Sequence, residues 1–196
     1  GPIGNFYGKR FAGFTVVGKW LFHKADGTIG RASDMAEEDK SIIGNGLPKY
    51  YASLTNTFRY KNFDLTVLLR GKFKYDILNT VDLFYGNPSL LPGNVLTSAL
   101  GKYSNITEAP QYSDYYLEKG DFVKLDNLTL GYNFNLKDSS LFSALRIFGS
   151  AKNLATFTGY TGRDPEVQDT GLYPGIDDRN FYPRTITITA GVNVNF

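Results

Sequence analysis

The sequence predicts an all-β fold, an antiparallel portion of a transmembrane β-barrel with long extracellular loops. Three observations predict it. Long stretches such as residues 63–75 and 185–196 alternate apolar and polar side chains with a period of two. Short and long connections between these stretches follow each other in turn, as in outer-membrane barrels. Phe, Tyr and Trp, 15% of the chain, gather at the ends of the stretches, where bilayer interfaces select them. About ten residues, at about 3.3 Å each and a tilt near 45°, span roughly 23 Å, close to the apolar band of such barrels.

The elements follow in order. Residues 6–21 are aromatic and glycine-rich and are expected as a strand of uneven pattern, and residues 22–48 as a long charged loop. Residues 51–60 place Ala52, Leu54, Asn56, Phe58 and Tyr60 on one face against Tyr51, Ser53, Thr55, Thr57 and Arg59. Lys61-Asn62 then reads as a two-residue hairpin turn. Residues 63–75 alternate Phe63, Leu65, Val67, Leu69, Gly71, Phe73 and Tyr75 with Asp64, Thr66, Leu68, Arg70, Lys72 and Lys74. In the long loop that follows, Ile77, Leu78, Val81 and Phe84, and again Leu96, Ala99, Leu100 and Tyr103, recur at helical spacing and predict two short helices.

Residues 122–135 place Phe122, Leu128, Leu130, Tyr132 and Phe134 on one face, broken by Lys124 and Asp126, opposite Asn127, Thr129, Gly131, Asn133 and Asn135. A short turn is expected at 136–140, a less regular strand at 145–158 and a long loop at 159–182. Residues 185–196 alternate without a break, Ile186, Ile188, Ala190, Val192, Val194 and Phe196 against Thr185, Thr187, Thr189, Gly191, Asn193 and Asn195. Two aromatic belts are expected. One holds Tyr60, Phe63, Tyr132, Phe134 and Phe196. The other, at the long-loop end, holds Tyr50, Tyr115, Tyr116, Phe157, Tyr160, Phe181 and Tyr182.

Composition excludes several function classes. Lys+Arg 21 against Asp+Glu 19 leaves +2, with no clustered basic face for nucleic acid. With no cysteine there is no disulfide framework, thiolate catalyst or thiolate metal site, and the single histidine, His23, is assigned no role. No phosphate-binding glycine loop or nucleophile elbow occurs, so no enzyme is expected. No apolar run approaches the roughly 18 residues of a membrane helix, which leaves barrels open. The alternative is a soluble β-sandwich that binds carbohydrate; its usual strands are shorter, about 5–6 residues. About six strands cannot close a barrel, and open edges are not viable in lipid. The start has neither Met nor a signal peptide, and the end stops on an aromatic within a strand. The expectation is therefore residues 1–196 as the C-terminal part of a longer barrel.

Particular segments then carry a resemblance. IIGNGLPKYYASLTNTFRYKNFDLTVLLRG (42–71), YYLEKGDFVKLDNLTLGYNF (115–134), LRIFGSAKNLATFTGYTGRDPEV (145–167) and YPRTITITAGVNVNF (182–196) are similar to the C-terminal barrel region of SusC/RagA-type TonB-dependent outer-membrane transporters of the Bacteroidetes. GPIGNFYGKRFAG (1–13) resembles the strand that opens this region. The resemblance implies an outer-membrane barrel of about 22 strands, of which this chain supplies about the last six. It implies import of glycan oligosaccharides or peptides, a SusD-like surface lipoprotein as lid, and energy from the TonB complex through an N-terminal region that these residues do not include.

Tyr160, Tyr173, Arg163 and Arg179 combine aromatic faces and guanidinium forks in one loop and suit sugar or peptide contacts. Arg70 and Lys72, with Lys74, alternate with apolar residues and are expected to face the lumen, either lining a cation-rich wall or, as the favoured reading, paired with acids from strands outside this chain. Asp164, Glu166, Asp177 and Asp178, with Asp169, concentrate oxygen ligands that could hold Ca²⁺; no other cofactor is expected. An Asp164/Glu166 hydrolytic pair lacks a fixed separation or an apolar wall. The chain end is expected on the periplasmic side and the long loops outside. Ile188 and Val192 are expected to face lipid, Thr187 and Asn193 the lumen. Phe196 is expected as an assembly signal, anchoring the register as the last strand pairs with the edge of the insertion machinery.

Overall fold

The computed structural model describes residues 3–134, 136, 143–168, 171–180 and 182–195. Among the described residues thirteen strands run in chain order: β1 (Asn5–Gly8), β2 (Arg10–Phe14), β3 (Trp20–His23), β4 (Ile29–Arg31), β5 (Ser41–Asn45), β6 (Tyr50–Tyr60), β7 (Phe63–Phe73), β8 (Asp76–Asn79), β9 (Leu117–Lys119), β10 (Phe122–Phe134), β11 (Ala144–Thr158), β12 (Ile176–Asp177) and β13 (Thr187–Asn195). One short helix, α1 (Thr80–Tyr85), follows β8. The chain divides into two compact units. A sheet unit comprises Tyr50–Phe73, Asp121–Gly159 and Pro183–Phe196, and a loop unit comprises Gly1–Lys49, Lys74–Gly120 and Tyr160–Tyr182.

The sheet unit is one antiparallel sheet of five long strands in the order β13-β11-β10-β7-β6. The β6–β7 hairpin turns on Lys61-Asn62 as expected, with Lys61 in the left-handed region (φ 53). Register carries the sequence alternation across the sheet. One row joins Asn56, Val67, Leu128, Ala151 and Ile188, and the next joins Phe58, Leu65, Leu130, Gly149 and Ala190. A row of Tyr60, Phe63, Tyr132, Ile147 and Val192 closes one end, where the Phe63 and Tyr132 rings meet at 4.8 Å. Tyr50, Phe73 and Phe157 stand at the other end. This apolar face is open: Leu54 is 59% exposed and Ile188 79%. A soluble sandwich would cover such a face, and contiguous apolar patches of this kind mark a lipid or partner surface.

One departure from the expected faces has a local cause. A β-bulge between Leu125 and Asn127 adds Asp126 to β10 relative to β7. The extra residue reverses the alternation, so Val123 and Leu125, not Phe122, join the apolar face of Leu128. Phe122 and Lys124 lie on the polar face, and both are buried. β11 sets two residues opposite Asp126, Asn153 in the left-handed region (φ 52) and Leu154, so Ala155 and Phe157 keep the parity of Ala151 on the apolar face. The break at Lys124 and Asp126 seen in the sequence is thus a change of parity, not an irregular strand.

The opposite face is polar and cross-linked. Thr57 and Thr66 hydroxyls meet at 3.3 Å, Thr129 donates to Ser150 at 3.1 Å, and Ser150 donates to Asn127 at 3.1 Å. Arg146 donates through Nε at 3.0 Å and through its fork to both oxygens of Asp64, which also accepts from Asn133 at 2.9 Å. The Arg146 guanidinium lies over Gly131, where a Cβ would stand 2.3 Å from it. Phe148 on the same face packs over Gly191, where a Cβ would stand 2.6 Å from its ring. Arg70 pairs with Asp126 at 3.1 Å. An acidic partner therefore comes from the bulge of β10 in this chain, a correction of the expectation that such acids lie on strands outside it.

The loop unit replaces the expected strand at 6–21 with shorter pieces. β1 pairs with β5, β2 with β3, and β3 with β4. The pattern breaks because Gly13 (φ 138) sits at a bulge in β2 and a turn follows at 15–18. The expected helix at 77–84 begins only at Thr80, where the Asn79 side chain caps α1; Ile77 and Leu78 belong to β8. The second helical spacing forms a short 3₁₀ turn at Thr97–Leu100. The core gathers Phe6, Trp20, Phe22, Leu78, Leu83, Tyr103, Ile106 and Tyr116. Trp20 donates from Nε1 to the Ala109 carbonyl at 3.0 Å. Tyr116 and Tyr160, expected in a belt, are 2% and 5% exposed and belong to this unit's interior. The turn expected at 136–140 lies outside the described residues apart from Leu136, as do Asp169, Phe181 and Phe196.

Candidate ligand site in the loop unit

Of the residues expected to contact ligand in the loop 159–182, Tyr160, Arg163 and Arg179 converge on β8, α1 and β12. Gly175 (φ 77) allows this: its N–H bonds to Gln168, its carbonyl accepts from Leu78, and a Cβ there would stand 2.5 Å from Gly46. β12 then pairs in parallel with β8, Ile176 opposite Leu78 and Asp177 opposite Asn79. Beside this pair lies a cavity of about 250 Å³, lined by Asn79, Val81, Asp82, Leu96, Thr161, Gly162, Arg163 and Asp177.

Its polar groups are held from behind. Glu118 on β9 accepts from Asn79 Nδ2 at 2.9 Å and from both the N–H and the hydroxyl of Thr161 at 2.8 Å. Asn79 Oδ1 accepts from the Asp82 N–H at 3.0 Å, the ordinary work of a helix N-cap. Asp82 accepts from the Tyr103 hydroxyl and Asp177 from the Tyr160 hydroxyl, each at 2.5 Å. Burial holds the Asp177 carboxyl above the usual carboxylate range, against the opposing pull of the Tyr160 hydrogen bond and the Arg163 charge. Burial, and then Asp177, pushes the Tyr160 phenol well above its ordinary value. Charges of both signs therefore face the cavity beside the apolar walls of Val81 and Leu96. That combination can hold hydroxyl or amide groups.

Of the residues expected to bind ligand, Arg163 lines this cavity and Tyr160 acts on it through Asp177. Arg179 lies over the Phe84 ring, 4.3 Å from its centroid, and Tyr173 is 75% exposed. Arg70 and Lys72 belong to the polar face of the sheet, where the Lys72 ammonium stands 5.6 Å from the Tyr51 ring centroid. Asp164 accepts from the Glu166 N–H at 3.0 Å, and both are buried. Among the described residues no three His, Asp or Glu side chains are grouped to hold a metal ion. Sequence reasoning missed Asn79, Asp82 and Thr161. Asn79 ahead of a short apolar run was readable as an N-cap; the Glu118 brace came from too far along the chain to be read.

No family model matches the chain. TonB-dependent receptor P3 of Formosa agariphila is 29% identical over 226 residues, covering 99% of this chain and 22% of the relative. TonB-dependent receptor P39 of the same organism is 30% identical over 181 residues, covering 82% and 17%. TonB-dependent receptor SusC of Bacteroides thetaiotaomicron is 30% identical over 178 residues, covering 81% and 16%. The chain thus spans about a fifth of the length of the curated relatives it matches. Among solved structures, the RagAB peptide importer in its closed-closed state superposes with a TM-score of 0.77 at 21% identity, covering 97% of this chain and 23% of that one. Another RagAB peptide transporter structure gives 0.75 at 22%, covering 98% and 23%. These superpositions assign the barrel-wall fold.

Proposed function

Because the chain belongs to the SusC/RagA-type TonB-dependent transporters, as a segment of their barrel, we propose that it is one part of an outer-membrane importer of bulky nutrients, oligosaccharides or peptides. The observation that carries this reading is the sheet with one open apolar face, one cross-linked polar face and, among the described residues, β6 and β13 as its two edge strands. Such a sheet is complete only when further strands close it and lipid covers its outside. The relatives are named as receptors and importers, and in this reading the chain binds and conducts. The RagAB structures are of peptide importers, which makes peptides one substrate class for this chain and oligosaccharides the other.

The loop cavity of about 250 Å³ lies below the usual 300–1,000 Å³ of small-molecule sites, so it would seat a single sugar or side chain of a longer substrate. In this reading Arg163, Tyr173 and Arg179 meet the substrate outside, and Arg70 and Lys72 line its path. Asp164, Glu166 and Asp177 are buried and, among the described residues, no three carboxylates are grouped, so the Ca²⁺ site expected at Asp164, Glu166, Asp177 and Asp178 is not carried forward; Phe196 remains a proposed assembly signal at a periplasmic end. A SusD-like lipoprotein and the TonB complex are the proposed partners.

This segment carries no cysteine of its own, so in a longer protein cleared of other cysteines each introduced thiol reports one position of the wall. Single cysteines placed at Thr66 and at Val67, in the longer protein that carries this segment, should divide cleanly. Thr66→Cys should react with a water-soluble maleimide through the lumen, and Val67→Cys only with a lipid-soluble one. Reaction of both with the water-soluble reagent would overturn the barrel-wall reading.

A further inference from the structure

A second cavity in the loop unit, of about 480 Å³, shares no lining residue with the first and falls in the size range of small-ligand sites. The β1–β5 ladder builds it. Gly8 pairs with Ser41, so the next register positions, Lys9 and Lys40, come side by side. Lys9 Nζ donates to Gln111 Oε1 at 2.8 Å and stands 5.3 Å from the Phe22 ring centroid. Burial, and then the charge of Lys40, holds the Lys9 ammonium below its usual range. One carboxylate faces the two ammonium groups: Glu37 pairs with Lys40 at 2.5 Å, from a side chain 74% exposed. Tyr7 and Tyr112 complete the lining, and both present ring surface to solvent. Tyr112 packs over Gly8, where a Cβ would stand 2.7 Å from its ring, so the ring's place depends on that glycine.

We propose that this cavity binds an acidic sugar residue, its carboxylate or sulfate between Lys9 and Lys40 and its ring against Tyr7 or Tyr112. Two compact ammonium charges with one removable counter-ion call for an anionic group. Flanking phenol rings offer apolar faces with polar tips, which suit the mixed faces of a pyranose. An acidic peptide would bring the charge without the ring. The site stands apart from the transport reading: loss of uptake would leave its binding measurable, and absence of binding would leave the barrel wall as it is.

The test is calorimetric titration of the longer outer-membrane protein in detergent. The probes are trigalacturonate, its fully methyl-esterified form and triglutamate. Trigalacturonate should bind, and the uncharged ester and triglutamate should bind at least about tenfold more weakly. The Lys9→Gln/Lys40→Gln double variant should lose at least about tenfold in affinity for trigalacturonate. Glu37→Gln should bind more tightly, because it removes the carboxylate that competes for Lys40, and a merely misfolded variant could not do this. No binding of trigalacturonate, equal binding by the double variant, no gain with Glu37→Gln, or triglutamate binding as tightly would each overturn the proposal.

Discussion

Arginine placed at successive heights on the apolar face should report depth in the bilayer. Ile188 shares its row with Asn56, next to Thr55 at the middle of the eleven-residue β6. Val192 shares the row of Tyr60, Phe63 and Tyr132. The two positions are four residues apart, about 13 Å along the strand at about 3.3 Å per residue, or about 9 Å in depth at a tilt near 45°. An arginine near the midplane costs about 2–4 kcal/mol and one near the interface about 0–1. Ile188→Arg should therefore cost about 2–4 kcal/mol and Val192→Arg about 0–1, with Thr189→Arg on the polar face close to neutral. Urea unfolding of the longer protein in phospholipid vesicles measures all three. Equal costs, or Thr189→Arg as the most damaging, would refute the assignment of faces.

Three further outcomes follow from the side chains. Arg146→Gln removes the fork to Asp64; because the pair is open to water on one side, the expected loss is about 1 kcal/mol, and a double-mutant cycle with Asp64→Asn should recover it as a coupling. Gly191→Val places a Cβ against the Phe148 ring and should cost about 1–3 kcal/mol in the same unfolding assay, as overpacking does. Asp177 binds its proton in the folded unit at pH values where the unfolded chain has lost it, so stability should fall as pH rises from the ordinary carboxylate range through its raised pKa. Exchange of the Leu78 amide, bonded to Gly175, should quicken over that window after correction for the intrinsic rate, and should not do so in Asp177→Asn.

The long strands were legible because each sits in a sheet with two chemically different faces, and a period of two survives any change of partner. The bulge was not. Phe122 was assigned to the apolar face because parity was counted from Leu128, and nothing local announces that Asp126 is an inserted residue. The same blind spot hid the partner of Arg70, which is that inserted residue itself. The loop unit was less legible still. Its strands are two to five residues long, too short for periodicity, and their partners are distant: Gly8 meets Ser41, and Leu78 meets Ile176. Tyr116 and Tyr160 looked like belt residues because the sequence shows an aromatic near a strand end, not the core that claims it. Of the candidate site, Arg163 was readable by residue type, while the Glu118 brace existed only once β8, β9 and the 159–182 loop had been brought together.

The loop unit has a consequence for how such a protein can vary. Its three stretches, residues 1–49, 74–120 and 160–182, enclose one core; the first lies ahead of β6, and the other two interrupt the sheet strands in sequence. They do not behave as three interchangeable decorations on a wall. Grafting a homologous 159–182 alone would bring a foreign Gly175-Asp177 edge to a native β8, and the mismatch would surface around Leu78 and Thr80, far from the graft. New specificity reached by recombination would have to carry all three stretches as a set. Point substitutions at exposed positions such as Tyr173 could be exchanged singly.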